Sequence, residues 1–261
     1  MFNRSTSTVL SSLAQSRHWI ALWNIFTNAK SPIAFLKRYL SGRGEYPAMI
    51  KIAHTPAPIS VMAYSWHDVL TINEIFFRKD YNIPADCRVV VDFGSNIGIS
   101  ALYFLTHSKC HVYAYEPAPE NIPKFKCNIK PYEKRCTFND VAVSTAKGTA
   151  TFGIEQTGRY GGINIPTDQS ITVTTICAND ELAAIIKAHG AIDVLKIDIE
   201  SLEVEILSSI DDSVLKKIRL IFLELNGELP FSKEYLTIRK SGTVYILENT
   251  LLRDAHVPIA S

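Results

Sequence analysis

Several things are missing from this sequence, and each absence narrows what the chain can be. No apolar run reaches the ~18–20 residues that span a bilayer as a helix, so no transmembrane segment is expected. Cysteine is sparse, five in 261 residues, and no two form a Cys-x-x-Cys pair. An odd count without such pairs argues against a zinc ribbon or a disulfide framework and for a reducing compartment, so the cytoplasm is the expected location. The dinucleotide fingerprint G-x-G-x-x-G and the phosphate loop G-x-x-x-x-G-K-[ST] are both absent. That disfavours a bound pyrophosphate, and with it a nicotinamide-dependent oxidoreductase. The seven histidines do not cluster, and no metal ligand set is read. Internal repeats and low-complexity tracts are also lacking.

Acidic residues are missing from one region only. Residues 1–44 carry six basic side chains (Arg4, Arg17, Lys30, Lys37, Arg38, Arg43) and no acid, although the whole chain is balanced at +1. The small overall charge excludes a dedicated nucleic-acid binder. Within the basic region, residues 19–40 read as two helices, with Pro32 opening the second. Trp19, Leu22, Trp23 and Phe26 make one apolar stripe; Ile33, Phe35, Leu36 and Leu40 make another. The simpler reading packs these stripes onto a domain as a helical cap. The sharper one makes them a basic amphipathic surface with peripheral membrane contact.

A hairpin is expected over AMIKIAHTPAPISVMAY, and a helix from Trp66 to Tyr81 with Ser65 or Asp68 at its start. From about residue 87 short apolar runs alternate with helical stretches. Strands are expected at 88–93, 111–115, 136–143, 194–199 and 220–225. The alternation predicts an α/β domain, a doubly wound and mostly parallel sheet, over 88–261, preceded by an N-terminal extension over 1–87.

The strongest local signal is VVVDFGSNIGISALYFL, residues 89–105. A buried strand ends in Asp92, a turn with Gly94 and Gly98 follows, and a helix opens. Glycines let a backbone approach a ligand, so a side chain at Gly94 is expected to fill ligand space. The open helix N-terminus offers N–H groups. The next strand, HVYAYEP, ends in Glu116, 24 residues after Asp92. An acid on the adjacent strand end can accept hydrogen bonds from a ribose diol. Together these suit a nucleoside with a small charged tail.

VVVDFGSNIGISALYF, YAYEPAPEN, NDVAVS, AKGTATF and DVLKIDIESLEVEIL, in this order and spacing over about 88–248, resemble the FkbM-type S-adenosylmethionine-dependent methyltransferases. The preceding DVLTINEIFFRKDY is similar to the family's lead-in. The resemblance implies a Rossmann-like methyltransferase fold and S-adenosylmethionine as cofactor. It implies that Asp92, Gly94, Ser95, Asn96 and Gly98 hold the amino-acid part of the donor, Glu116 the ribose, and Asp140 and Val141 the adenine. Ser95 stands where Ala is more usual, and Ser201 where Gly is more usual.

In AIDVLKIDIES, Lys196, Asp198 and Glu200 alternate along one side of the expected fourth strand. Charges at the end of a central parallel strand need a reason, because buried charge is costly unless paired. Lys196 pairs with an acid to order the strand end, or it joins the cofactor residues. Asp198 and Glu200 are catalytic candidates, with Asp198 deprotonating a hydroxyl or binding a divalent ion. Glu224 and Asn226 at the end of the fifth strand bind acceptor hydroxyls or cap the turn at Gly227. GIEQTGRYGGIN, residues 153–164, reads either as an acceptor lid carrying Arg159 and Tyr160 or as a flexible surface turn. SKEYLTIRKSG reads as a helix capped by Gly242, and TVYILEN as a sixth strand. The motif D-P-P-Y or N-P-P-Y, which positions planar nitrogen acceptors, is absent. The expected activity is therefore O-methylation of a small-molecule or glycan acceptor, a sugar, polysaccharide or natural product. The alternative is a binding module that keeps the cofactor but has lost chemistry.

Overall fold

The computed structural model describes residues 16–53, 58–154, 161–163, 165–167, 169–200 and 202–252. It divides into two units, one up to Asn82 and one from Ile83 onward.

In the first unit, helix α1 (Ser16–Asn28) is followed by α2 (Pro32–Ser41), whose proline occupies the first turn, where no intrahelical N–H is needed. Strands β1 (Ala48–Ile52) and β2 (Ile59–Ala63) then pair as an antiparallel hairpin, burying every second residue. Helix α3 (Trp66–Ile72) starts with a capping box. The Ser65 hydroxyl accepts from the Asp68 N–H, and the Asp68 carboxylate accepts from the Ser65 N–H. Its continuation over Asn73–Phe77 widens into a π-helical turn.

Helix α1 packs on its unit, but not through the stripe expected from the sequence. Ala21 and Ile25, with Ala29 just past the helix end, are spaced by four and form its buried side. Trp19, Trp23 and Phe26 stand on the opposite side, each more than half exposed. Small side chains let the helix lie close to its unit, which turns the bulky aromatics outward.

The second unit carries β3 (Val89–Phe93), α4 (Ile99–His107), β4 (His111–Tyr115), α5 (Ile122–Ile129) and β5 (Cys136–Asn139) in succession. Next come β6 (Ala142–Ser144), β7 (Gly148–Ile154), β8 (Gly161–Ile163) and β9 (Gln169–Cys177), then α6 (Ala178–His189) and β10 (Ile192–Ile197). Helices α7 (Glu203–Ser209) and α8 (Asp212–Leu215) lead to β11 (Ile218–Glu224), β12 (Leu236–Ser241) and β13 (Val244–Asn249).

Seven strands form the main sheet in the order β12-β13-β11-β10-β3-β4-β5. The five strands from β11 to β5 are parallel, and β13 and β12 close one edge antiparallel. This is the doubly wound, mostly parallel sheet expected from the alternation. Its strands β3 and β10 are buried at every position, as central parallel strands should be. The main core joins Val91, Phe93, Leu195, Ile197, Ile221 and Leu223 of the sheet with Leu182, Ile185, Ile206 and Leu215 of the helices.

Three local expectations are corrected. The segment 136–143 is not one strand: β5 belongs to the main sheet, whereas β6 pairs with β9 in a second, four-stranded sheet of order β6-β9-β7-β8. The chain changes sheets at Asp140 and Val141. SKEYLTIRKSG is no helix. Residues 236–241 form β12, whose partner β13 is joined to it through Gly242 and Thr243, with Ser241 paired to Val244. Gly242 has φ +67°, as a tight hairpin turn requires. The helix-forming Lys, Glu and Arg of the segment yield to cross-strand pairing. The strand expected at 194–199 stops at Ile197. Of the expected lid or turn, Gly161–Ile163 is strand β8, while Arg159 and Tyr160 lie outside the described residues.

Candidate active site

The chain runs outward from β3 through β4 to β5 and later returns to the other side of β3 as β10. The strand order therefore reverses between β3 and β10, and open α/β sheets bind ligands beyond the carboxyl ends at such a point. Asp92, Gly94, Lys196 and Asp198 meet there.

Lys196 and Asp92 are neighbours in the parallel register. The Lys196 ammonium is 3.2 Å from Asp92 Oδ1 and 3.1 Å from Asp198 Oδ2, and it donates to the Gly94 carbonyl at 2.9 Å. The ammonium thus faces two carboxylates and a carbonyl at once, an ion pair on each acid and a hydrogen bond to the backbone. Burial opposes the charge of Lys196. The Asp198 and Asp92 carboxylates outweigh burial and hold the ammonium above the ordinary lysine range. Of the two readings of Lys196, a cofactor residue or a pair that orders the strand end, the structure shows the pairing: with its side chain 3% exposed, Lys196 ties the loop after β3 to the end of β10. Asp92 is equally inward. It is fully buried, and its Oδ2 accepts from the Ser100 hydroxyl at 2.6 Å. Asp198 differs, because 28% of its side chain remains accessible.

The loop 94–98 is held from within. Gly94 and Ser95 donate their N–H groups to the Tyr115 carbonyl, and the Ser95 hydroxyl bridges the Asp92 carbonyl and the Tyr115 N–H. Asn96 donates its N–H to Glu116 Oε2 at 2.9 Å, and its own side-chain oxygen accepts from Ile97. Gly94, Asn96 and Gly98 all have positive φ, a region open to Gly and tolerated by Asn. At Gly94 the need is absolute. A Cβ would lie 1.8 Å from the Asp198 carbonyl oxygen. The sequence suggested that ligand occupies this space; the protein's own backbone does.

Glu116 is 5% exposed. Its Oε1 accepts from the Ala118 N–H at 2.9 Å and the Asn121 amide at 3.3 Å, and its Oε2 from Asn96. Burial pushes its carboxyl up to about 7, and these donors only partly counter that. A carboxylate has about four lone-pair directions, so Oε2 keeps one for a further donor. Next to it, Asn121 Oδ1 is buried and has no hydrogen-bond partner. Asn121 was not singled out from the sequence; its place five residues after Glu116 at the start of α5 was the available signal. A vacant lone pair and an orphaned acceptor suit a ligand with hydroxyl donors. The first-turn N–H groups of α4 have no carbonyl in their own helix to serve. The residues present therefore fit a nucleoside with a polar tail, the chemistry of S-adenosylmethionine. The Asn139 carbonyl accepts the Glu116 N–H at 3.1 Å, which brings Asp140, exposed, and Val141, half-buried, next to the Glu116 backbone.

The remaining candidates separate. Glu200 is not on a strand face with Lys196 and Asp198. The strand has ended, and Glu200 turns the chain with φ +58°. Its carbonyl lies 2.5 Å from where a Cβ on Gly162 would stand, so β8 lies against this turn. The same turn is braced by Glu203, which sequence reading passed over. Glu203 is buried and accepts from the Ile199 N–H at 3.2 Å, and burial raises its carboxyl. An acid in the first turn of a helix was its signal. Glu224 follows Leu223, the register partner of Ile197, and its Oε1 accepts from the Thr243 hydroxyl at 2.9 Å. Asn226 is exposed. Among the described residues no group of three or more His, Cys, Asp or Glu could hold a metal ion.

The family model of the methyltransferase FkbM domain matches residues 92–243. The AMB antimetabolite synthetase AmbE of Pseudomonas aeruginosa is 26% identical over 195 residues, an alignment covering 60% of this chain and 9% of that protein. The chain thus spans less than a tenth of the length of that curated relative. An rRNA methylase from Streptococcus thermophilus is structurally similar with a TM-score of 0.37 at 10% identity, over 64% of this chain and 89% of that one. The N-terminal domain of human METTL16 in complex with SAH gives a TM-score of 0.37 at 11% identity, over 70% of each chain.

Proposed function

This chain belongs to the FkbM methyltransferase family, and we propose that it methylates a hydroxyl oxygen of a sugar, polysaccharide or natural-product acceptor. S-adenosylmethionine, when bound, supplies an electrophilic methyl group. Glu116 and Asn121 would hold its ribose, Asp140 and Val141 would flank the adenine, and the first turn of α4 would receive the amino-acid tail.

The observation that carries the oxygen-acceptor reading is Asp198. It is the one charged side chain of the Lys196 cluster that stays partly accessible, at the carboxyl end of β10 beside the loop. Lys196 fixes one carboxylate oxygen, so the side chain is oriented before an acceptor arrives. A hydroxyl that gains a methyl group must lose its proton, and Asp198 is the base placed to take it. Lys196 balances the charge of the carboxylate, while Glu203 and Gly162 hold the turn that follows. The absence of the planar-nitrogen motif and the antimetabolite synthetase among the relatives support the same reading.

The test is methyl transfer from labelled S-adenosylmethionine to a panel of sugars and hydroxylated metabolites, followed by mass spectrometry. Asp198→Asn should lower turnover by roughly 10²–10⁴ and leave cofactor affinity within about threefold, since a base acts on the acceptor. Full turnover in that variant, or a methylated nitrogen in the product, would contradict the proposal.

A further inference from the structure

We infer that the outward face of α1 and α2 docks on an anionic lipid bilayer surface. On α1, Trp23 is 71% exposed and Phe26 55%, and both lie on the side away from the buried Ala21, Ile25 and Ala29. Ile20 and Trp19, next to them, are also more than half exposed. Helix α2 repeats the arrangement. Phe35 faces inward, whereas Ile33 at 77% and Leu40 at 46% face outward, spaced seven apart with exposed Lys37 between them. Water-facing helix sides are ordinarily polar. Contiguous exposed apolar side chains mark an interaction surface.

The charge selects the occupant. Lys30 and Lys37 are exposed on this segment, and the nearest acid in sequence is Glu45. Up to Asn82 the chain has nine basic and four acidic side chains; the rest has eighteen and twenty-two. Basic side chains beside bulky aromatics are the composition that binds headgroups electrostatically and inserts rings at the interface. Tryptophan favours that depth because its ring is apolar and its N–H polar. No helix among the described residues is long and apolar enough to cross a membrane, so the contact is peripheral.

The experiment is co-sedimentation of the full chain with vesicles of phosphatidylcholine containing phosphatidylglycerol, against phosphatidylcholine alone. Two of the three tryptophans, Trp19 and Trp23, lie on this face, so their emission should shift to the blue on anionic vesicles. Trp23→Ala with Phe26→Ala should weaken binding roughly tenfold or more with an unchanged melting curve, because both side chains are already exposed. Lys30→Glu with Lys37→Glu should weaken binding to anionic vesicles, as should added salt. Failure of the wild type to bind anionic vesicles would overturn the inference. So would self-association in ultracentrifugation that Trp23→Ala abolishes while vesicle binding persists unchanged, which would assign the face to a second copy.

Discussion

Replacing Lys196 by Met would remove the single cation that joins Asp92, Asp198 and the Gly94 carbonyl. Its cost follows from what remains. Asp92 is fully buried and would keep only the Ser100 hydroxyl. Stranding a buried charge by removing its partner costs about 3–5 kcal/mol. Asp198 adds little, because its carboxylate is partly hydrated and exposed pairs contribute about 0–1 kcal/mol. For a unit of this size the melting temperature should fall by roughly 6–20 °C at about 2–4 °C per kcal/mol. Urea titration followed by circular dichroism gives the same quantity directly. A second substitution locates the cause. Asp92→Asn in the Lys196→Met background removes the stranded charge, so the double variant should be more stable than Lys196→Met alone by about 1–3 kcal/mol. A Lys196→Met chain within about 1 kcal/mol of wild type, or a double variant no better than the single one, would refute the view that the ammonium is the keystone of the loop.

Four other outcomes follow from the same geometry. Glu116→Gln should weaken S-adenosylhomocysteine binding roughly tenfold or more, the loss of a charge-assisted hydrogen bond worth about 1.5–3 kcal/mol; calorimetry would read it. The Glu116 carboxyl stands at about 7 in the folded chain, above its ordinary ~4.3, so wild-type affinity should rise as pH climbs through 7, and that rise should vanish in Glu116→Gln. The folded state also binds this proton more tightly than the unfolded chain, so its contribution to stability is complete below the ordinary carboxyl value and lost as pH rises through about 7; a pH series of melting curves without that trend in the wild-type minus Glu116→Gln difference would contradict the assignment. Gly94→Ala should fail to fold or melt far below wild type, because the added carbon meets the Asp198 carbonyl at 1.8 Å and φ is +78°; a normal melting curve would show that the loop has another conformation.

What could be read in the sequence was local. The turn D-x-G-x-N-x-G, the acid ending the next strand and the helix start at Ser65 or Asp68 are each set by neighbours a few residues away; the structure shows each element in place and joins Ser65 and Asp68 in one capping box. The alternation from residue 87 likewise carried the parallel sheet. What could not be read depends on distant partners. Residues 236–241 have helix formers and alternate weakly, and only pairing with β13 makes them a strand. The same holds for β6, whose partner Cys177–Thr175 segment lies beyond a whole hairpin. The Lys196–Asp198 pair was legible two residues apart, but the pairing of Lys196 with Asp92 was not, because the register that sets them side by side is not written within either strand. The occupant of the space above Gly94 was a backbone carbonyl more than a hundred residues away in sequence.

The central claim is that the crevice between the ends of β3 and β10 receives the methyl donor with its ribose on Glu116. A crystal structure of the chain with S-adenosylhomocysteine tests it most directly. The account predicts ribose hydroxyls within hydrogen-bond distance of Glu116 Oε2 and Asn121 Oδ1, with Lys196 still bound to Asp92, Asp198 and the Gly94 carbonyl. A ligand seated elsewhere, or one whose ribose leaves Glu116 untouched, would contradict it.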